Sequence, residues 1–123
     1  MDIRPGTVFR PRAVGSHTHI VVTAVTPLGK VLTVNWTTLD DECVDDACVL
    51  DRGDHPAIEH PSTVAYSRRE LRDLVKLQQA IAAGLLALLP PLAPAVLNRV
   101  LSGARCSPEL GADFKAMLPP VSE

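Results

Sequence analysis

The chain has 123 residues, a formal net charge of −2 and a pI near 6.0. This balance excludes a strongly basic nucleic-acid-binding domain, although it leaves room for a local basic face. The length suits one domain with one core, and that core must be aliphatic because 46% of the residues are hydrophobic but only 3% are aromatic.

The first 66 residues are predicted to form a small β-structure. Runs rich in β-branched residues predict short strands at residues 7–10, 17–25, 30–38, 47–50 and 62–66. Gly29 follows Pro27 in the short connection at residues 26–29, which predicts a hairpin between the second and third strands. The acidic segment 40–46 is expected to be a solvated loop. So many short strands are expected to curl into a strongly twisted barrel or half-barrel.

The rest of the chain is predicted to be helical. Ser67-Arg68-Arg69-Glu70 matches a capping box and predicts a helix that begins there and stops before Pro90. A second helix is expected to begin near Pro94, with Gly103 as its C-terminal cap, and a third after Ser107. The fold class is therefore α+β, with a barrel at residues 1–66 and helices in residues 67–123 packed on it as a single structural domain.

Two properties bear on location. Residues 80–97 carry no charge, but three prolines interrupt them, which favours two buried helices over a membrane span. Cys43, Cys48 and Cys106 are an odd number and too few to staple a secreted scaffold. With no signal peptide evident, the expected location is the cytoplasm.

Ionisable and hydroxyl side chains are concentrated in residues 51–66. His55 or His60 could transfer a proton near neutral pH, oriented by Asp54 or Glu59. The hydroxyls of Ser62, Thr63 and Tyr66 could hold a substrate oxygen. The alternative is that Gly53-Asp54-His55-Pro56 is simply a turn closed by the aspartate.

Two arrangements of histidine could bind an ion. Cys43, Cys48, His55 and His60 offer a zinc ligand set, but the four-residue separation of the cysteines, with no glycine between them, favours a site without metal. His17 and His19 are expected on one face of a strand, where they could bind a divalent ion or a phosphate, or form a solvated edge. No cofactor is predicted.

Basic residues in or beside the predicted barrel could contact an RNA backbone, and Trp36 or Phe9 could stack on a base. The alternative is that these charges are an ordinary solvated surface. The basic residues are Arg10, Arg12, Lys30, Arg52, Arg68 and Arg69.

Four segments of the first half resemble the MazF/PemK family of toxin endoribonucleases. Residues 5–9 (Pro-Gly-Thr-Val-Phe) are similar to the opening Gly-Asp-Ile-x strand of that family. Residues 19–23 (His-Ile-Val-Val-Thr) are placed like its second strand, and residues 34–38 (Val-Asn-Trp-Thr-Thr) like its Pro-Ile-Thr-Ser segment. Residues 62–64 (Ser-Thr-Val) are placed like the strand before its final helix.

This resemblance implies an SH3-like barrel finished by C-terminal helices, and metal-independent cleavage of RNA in which a 2'-hydroxyl attacks the adjacent phosphate. By position it implies a catalytic arginine at Arg10 or Arg12 and a catalytic hydroxyl at Thr37 or Thr38, and we add His60 as a candidate proton carrier. The candidate ligand-binding residues are His17, His19, Trp36, Asp54, His55, Ser62 and Tyr66. RNA, an antitoxin or other protein, and a second copy of the chain are candidate partners, and no membrane partner is expected. The alternative function is a non-catalytic interaction or regulatory module of a phage or mobile-element system.

Overall fold

The computed structural model describes residues 2–39 and 45–120. This part of the chain contains six strands and three helices: five strands come first, and a helix, the sixth strand and two more helices follow. The strands are β1 (Val8–Pro11), β2 (Thr18–Val21), β3 (Lys30–Thr38), β4 (Val49–Leu50), β5 (Ser62–Asp73) and β6 (Leu86–Leu89). The helices are α1 (Leu74–Ala82), α2 (Pro94–Cys106) and α3 (Ala112–Lys115).

All six strands form one antiparallel sheet in the order β4-β5-β3-β2-β1-β6, curled into a half-barrel. The predicted hairpin joins β2 to β3, and Gly29 adopts the positive φ of 76° that its turn requires. The α+β class with a curled antiparallel sheet is thereby confirmed. None of the helices in residues 2–39 and 45–120 has the length and apolarity needed to cross a bilayer.

The central strands β2 and β3 are largely buried on both faces, which explains why most of their residues are apolar or β-branched. On one face Val8, Ile20 and Val34 pack beneath α2, whose Val100 is fully buried. On the other face their neighbours Phe9, Val21 and Val31 pack against Leu77 of α1. This alternation follows from the two-residue period of a strand.

The predicted helix start at Ser67 is wrong. Residues 67–73 continue β5, and the first helix begins at Leu74, where the Asp73 carboxylate accepts the N–H of Lys76 at 3.0 Å. Residues 70–73 pair with β3 and gain backbone partners in the sheet, so tertiary pairing outweighs the local capping signal. The sheet therefore extends beyond Tyr66.

Two other helix predictions need correction. Residues 86–89, predicted as the last turn of the first helix, form the edge strand β6 on β1, because Gly84 leaves the helix with a φ of 79°. Helix α2 begins at Pro94 as predicted, but Gly103 lies inside it and the helix ends at Cys106. Gly103 is needed there because its missing side chain lets α2 approach Tyr66 closely. The third helix begins at Ala112 rather than just after Ser107.

Strand β5 carries a large bulge where it pairs with β3. Asn35 pairs with Ala65 and Thr33 pairs with Glu70, so residues 66–69 lie opposite the single residue Val34. A bulge bends its strand and redirects the side chains it carries. The bulge contains both Arg68 and Arg69.

Candidate functional site

A polar groove with a volume of about 300 Å³ lies at one end of the sheet. The end of β1, the start of β2, the end of β3 and the start of β5 meet there because neighbouring strands run antiparallel. The loop at residues 57–60 closes the remaining side. Of the twelve site residues predicted from the sequence, the groove brings together seven: Arg10, His17, Trp36, Thr37, Thr38, His60 and Ser62.

The strand register fixes the floor of the groove. Thr38 pairs with Ser62 and Trp36 pairs with Thr18, so these side chains are held at defined separations across neighbouring strands. Trp36 is buried and its ring lies 5.3 Å from the ring of His55, so it supports the groove from below instead of offering an open face for stacking. Thr38 is exposed and Thr37 is half-buried, which leaves their hydroxyls accessible from solvent.

Arginine side chains lie in the groove and beside it. Arg10 lines it, and Arg12 lines an adjoining depression that shares Arg10. Within residues 2–39 and 45–120, neither arginine forms an ion pair with a carboxylate. Glu59 is the one acidic side chain among the lining residues, and residues 40–44 of the predicted acidic loop lie outside the described residues. An unpaired guanidinium beside accessible hydroxyls suits a phosphate group.

His17 reaches the groove from the loop before β2 and contacts an arginine from the other side. Its Nε2 accepts a hydrogen bond from Arg68 Nη1 at 3.0 Å, since a guanidinium can only donate. His17 is therefore the neutral tautomer with its proton on Nδ1. The sequence predicts Arg68 to lie in a helix, whereas the β5 bulge brings it to this position beside His17.

His60 lies exposed on the closing loop. The Oγ of Ser62 donates to the backbone carbonyl of His60 at 3.0 Å and fixes that turn of the chain. The Nδ1 of His60 lies 3.4 Å from the carbonyl oxygen of Pro61, and its Nε2 has no partner in the described part of the chain. An exposed imidazole with one unengaged nitrogen can donate or accept a proton at the groove.

Asp54, His55 and Tyr66 lie outside the groove and hold the fold together. His55 is only 3% exposed; its Nδ1 accepts the N–H of Ala57 at 3.0 Å, and its Nε2 donates to the carbonyl of Pro90 at 2.6 Å. The Tyr66 hydroxyl donates to the carbonyl of Val100 at 2.6 Å, and burial raises the pKa of Tyr66. These contacts join the first half of the chain to α2 and to the segment before it.

Asp54 closes a turn, which is the alternative that its sequence context left open. Its carboxylate accepts the N–H of Asp51 at 2.8 Å and pairs with Arg99 at 2.8 Å. Burial would raise the pKa of Asp54, but the hydrogen bonds from Asp51 and Arg99 outweigh burial and lower it. Asp54 therefore remains charged and anchors α2 to the turn.

His19 is buried, whereas His17 is exposed. Its ring is 8% exposed and stacks on Phe9, with ring centres 5.2 Å apart. Burial, with a smaller contribution from the charge of Arg72, lowers the pKa of His19 to about 4, so the ring is neutral at ordinary pH. The two histidines do not form a paired ion site.

The zinc ligand set considered from the sequence does not assemble around His55, because both of its ring nitrogens are engaged. Cys43 lies outside the described residues. In residues 2–39 and 45–120 no three histidine, cysteine or acidic side chains group in a way that could hold a metal ion.

Comparisons with protein-family models, curated proteins and solved structures find no match to this chain.

Proposed function

We propose that the groove binds the backbone of RNA and that the protein is a toxin-like, metal-independent endoribonuclease with an SH3-like barrel of the MazF/PemK type. The observation that carries this proposal is the convergence of Arg10, Thr37, Thr38 and His60 on one accessible groove. These residues come from three separate parts of the chain. A cation, two hydroxyls and a titratable ring are the groups that RNA cleavage without a metal needs.

The chemistry follows from these groups. The 2'-oxygen of the RNA forms a bond to the adjacent phosphorus while the bond from phosphorus to the 5'-oxygen breaks, which leaves a 2',3'-cyclic phosphate and a 5'-hydroxyl. The guanidinium of Arg10 stabilises the negative charge that builds up on the phosphate oxygens. The imidazole of His60 moves a proton between the 2'-hydroxyl and the leaving oxygen, and the threonine hydroxyls hold the phosphate in place.

The test is incubation of the purified protein with end-labelled single-stranded RNA in the presence of EDTA. Cleavage is expected, and the same oligonucleotide made of DNA should remain intact because it lacks the 2'-hydroxyl. Arg10→Gln and His60→Gln should each slow cleavage by about 100-fold. Arg4→Gln is a matched control, because Arg4 is exposed and pairs with Asp2 away from the groove. Intact RNA at high protein concentration would refute the enzymatic function.

A second function, a non-catalytic interaction module, is favoured by a different surface. An almost wholly apolar depression of about 430 Å³ lies between the β2–β3 turn and the end of β5, and Leu28 on its rim is 84% exposed. Leu71 and Met117 line its other side. Apolar surface of this kind is typical of protein contacts. Light scattering that shows a monodisperse monomer, together with a pull-down that recovers no partner, would count against this function.

A further inference from the structure

The bulge in β5 places two neighbouring arginines in different surroundings. Arg69 Nη1 donates to the carbonyl of Ser67 at 3.0 Å, and its guanidinium lies 5.1 Å above the ring of Phe114. Arg68 extends instead to His17, a residue that lines the groove. The two side chains carry the same charge and differ only in where the bulge directs them.

Arg68 keeps most of its hydrogen-bonding capacity. Arg72, farther along the strand, is neutralised by Glu70 at 2.9 Å and also donates to Thr33. Arg68 has no carboxylate partner within residues 2–39 and 45–120, and its contact with His17 uses one of its five N–H groups. Its positive charge is therefore available to a ligand.

The pair formed by Arg68 and His17 offers hydrogen-bond donors and no acceptor. The guanidinium has four N–H groups left, and accepting from Arg68 places the remaining imidazole proton on Nδ1. A surface of this kind matches a group that only accepts, and a phosphodiester with its charged oxygens is such a group. His17 lines the groove together with Arg10 and Thr38, which would hold the reacting phosphate, and Arg68 reaches the groove through its contact with His17.

We propose that Arg68 and His17 form a second phosphate subsite, which binds a neighbouring phosphodiester of the RNA strand and sets the course of the strand out of the groove. This inference rests on the proposed function, since it assumes that the groove receives RNA. It assigns a role to the β5 bulge: the extra residues carry Arg68 over the sheet to His17.

The test measures binding of a fluorescent single-stranded 2'-O-methyl RNA, roughly 12 nucleotides long, by anisotropy over a range of salt concentrations. The 2'-O-methyl group prevents cleavage, so binding is observed alone. Arg68→Gln should weaken binding about fivefold and reduce the slope of log K against log salt by about 0.7, the value for one phosphate contact on a single strand. Arg69→Gln removes the same charge one residue away and should change affinity less than twofold.

The variant His17→Ala should weaken binding as well, and combining it with Arg68→Gln should add little, because the two residues act on one phosphate. Circular dichroism melting confirms that all variants are folded, which is expected because these side chains are exposed. Equal losses from Arg68→Gln and Arg69→Gln would show a general charge effect and overturn the subsite. Tight binding by wild type with no effect of Arg68→Gln would overturn this inference alone, whereas no binding by wild type would overturn it together with the proposed function.

Discussion

Replacing Gly103 by alanine tests the closest packing in the fold. A Cβ atom at Gly103 would lie 2.5 Å from the Tyr66 hydroxyl oxygen, 2.8 Å from Cys48 Cβ and 3.0 Å from the carbonyl oxygen of Ala47. The first two distances are shorter than those of real Cβ atoms and the third is tight, so α2 must move away from Tyr66 and Cys48. That movement also strains the hydrogen bond from Tyr66 to Val100.

The size of the effect follows from three contributions. Overpacking of a well-filled core costs about 1–3 kcal/mol. Weakening of the Tyr66 hydrogen bond adds up to about 1 kcal/mol. Against these, alanine is about 1 kcal/mol better than glycine inside a helix. Gly103→Ala should therefore lower the free energy of unfolding by up to about 3 kcal/mol, with a central value of about 1.5 kcal/mol, measured by urea denaturation.

A second glycine provides the control. Gly111 has a φ of −64° and no atom within 4 Å of an added Cβ, so alanine fits there without a clash. Gly111 is the N-cap of α3, where glycine is preferred to alanine, and this preference opposes the gain from the lower backbone entropy of the unfolded alanine chain, so Gly111→Ala should leave stability within about 0.5 kcal/mol. In a Tyr66→Phe background the nearest contact to the new methyl group is gone, and Gly103→Ala should cost less than in wild type. A Gly103→Ala protein stabilised by about 1 kcal/mol, the gain that helix propensity alone predicts, would refute the packing argument.

The roles of the histidines give two further predictions. His55→Ala should lower the free energy of unfolding by about 2–4 kcal/mol, because it removes two hydrogen bonds of a buried side chain. His60→Ala should leave stability within about 0.5 kcal/mol and reduce RNA cleavage. The reverse pattern in urea denaturation and cleavage assays would contradict the assignment of His60 to the groove and of His55 to the fold. Stability should also fall as the pH decreases from 6.5 to about 4, because the unfolded chain protonates His19 while burial lowers its folded pKa to about 4. His19→Gln should remove about 3 kcal/mol of this loss, because each unit of pKa difference is worth about 1.4 kcal/mol, and His17→Gln should not. Unchanged pH profiles for both variants would show that His19 does not carry the effect.

Much of the β-structure could be predicted because its signals are local. The β-branched run at residues 30–38 coincides with β3, and Gly29 marks the turn before it. The alternation of side chains along a strand was enough to suggest that His17 and His19 share a face. It could not show that His19 is buried and stacked on Phe9, because burial depends on elements distant in the sequence.

The groove was predictable only in part. The segments at the end of β1 and the end of β3 resemble segments of the MazF/PemK family, and this resemblance suggested Arg10, Thr37 and Thr38 as site residues. Segment 51–66 looked like one cluster of reactive groups, yet the structure divides it. His60 and Ser62 line the groove. Both ring nitrogens of His55 are instead hydrogen-bonded to the backbone of Ala57 and of Pro90, and Pro90 lies 35 residues away in the sequence.

The misassigned helix start at Ser67 has a physical cause that bears on function. Residues 67–70 are all exposed. A polar run that begins with the hydroxyl of Ser67 and ends with the carboxylate of Glu70 is compatible with a solvent-facing bulge as well as with a helix cap. A helix beginning at Ser67 would place Arg68 and Arg72 on one face, four residues apart. In the sheet, pairing with Val31 holds Arg72 beside Glu70, and the bulge sends Arg68 to His17. Only the strand form of this segment therefore separates a neutralised arginine from one that is free to contact a ligand at the groove.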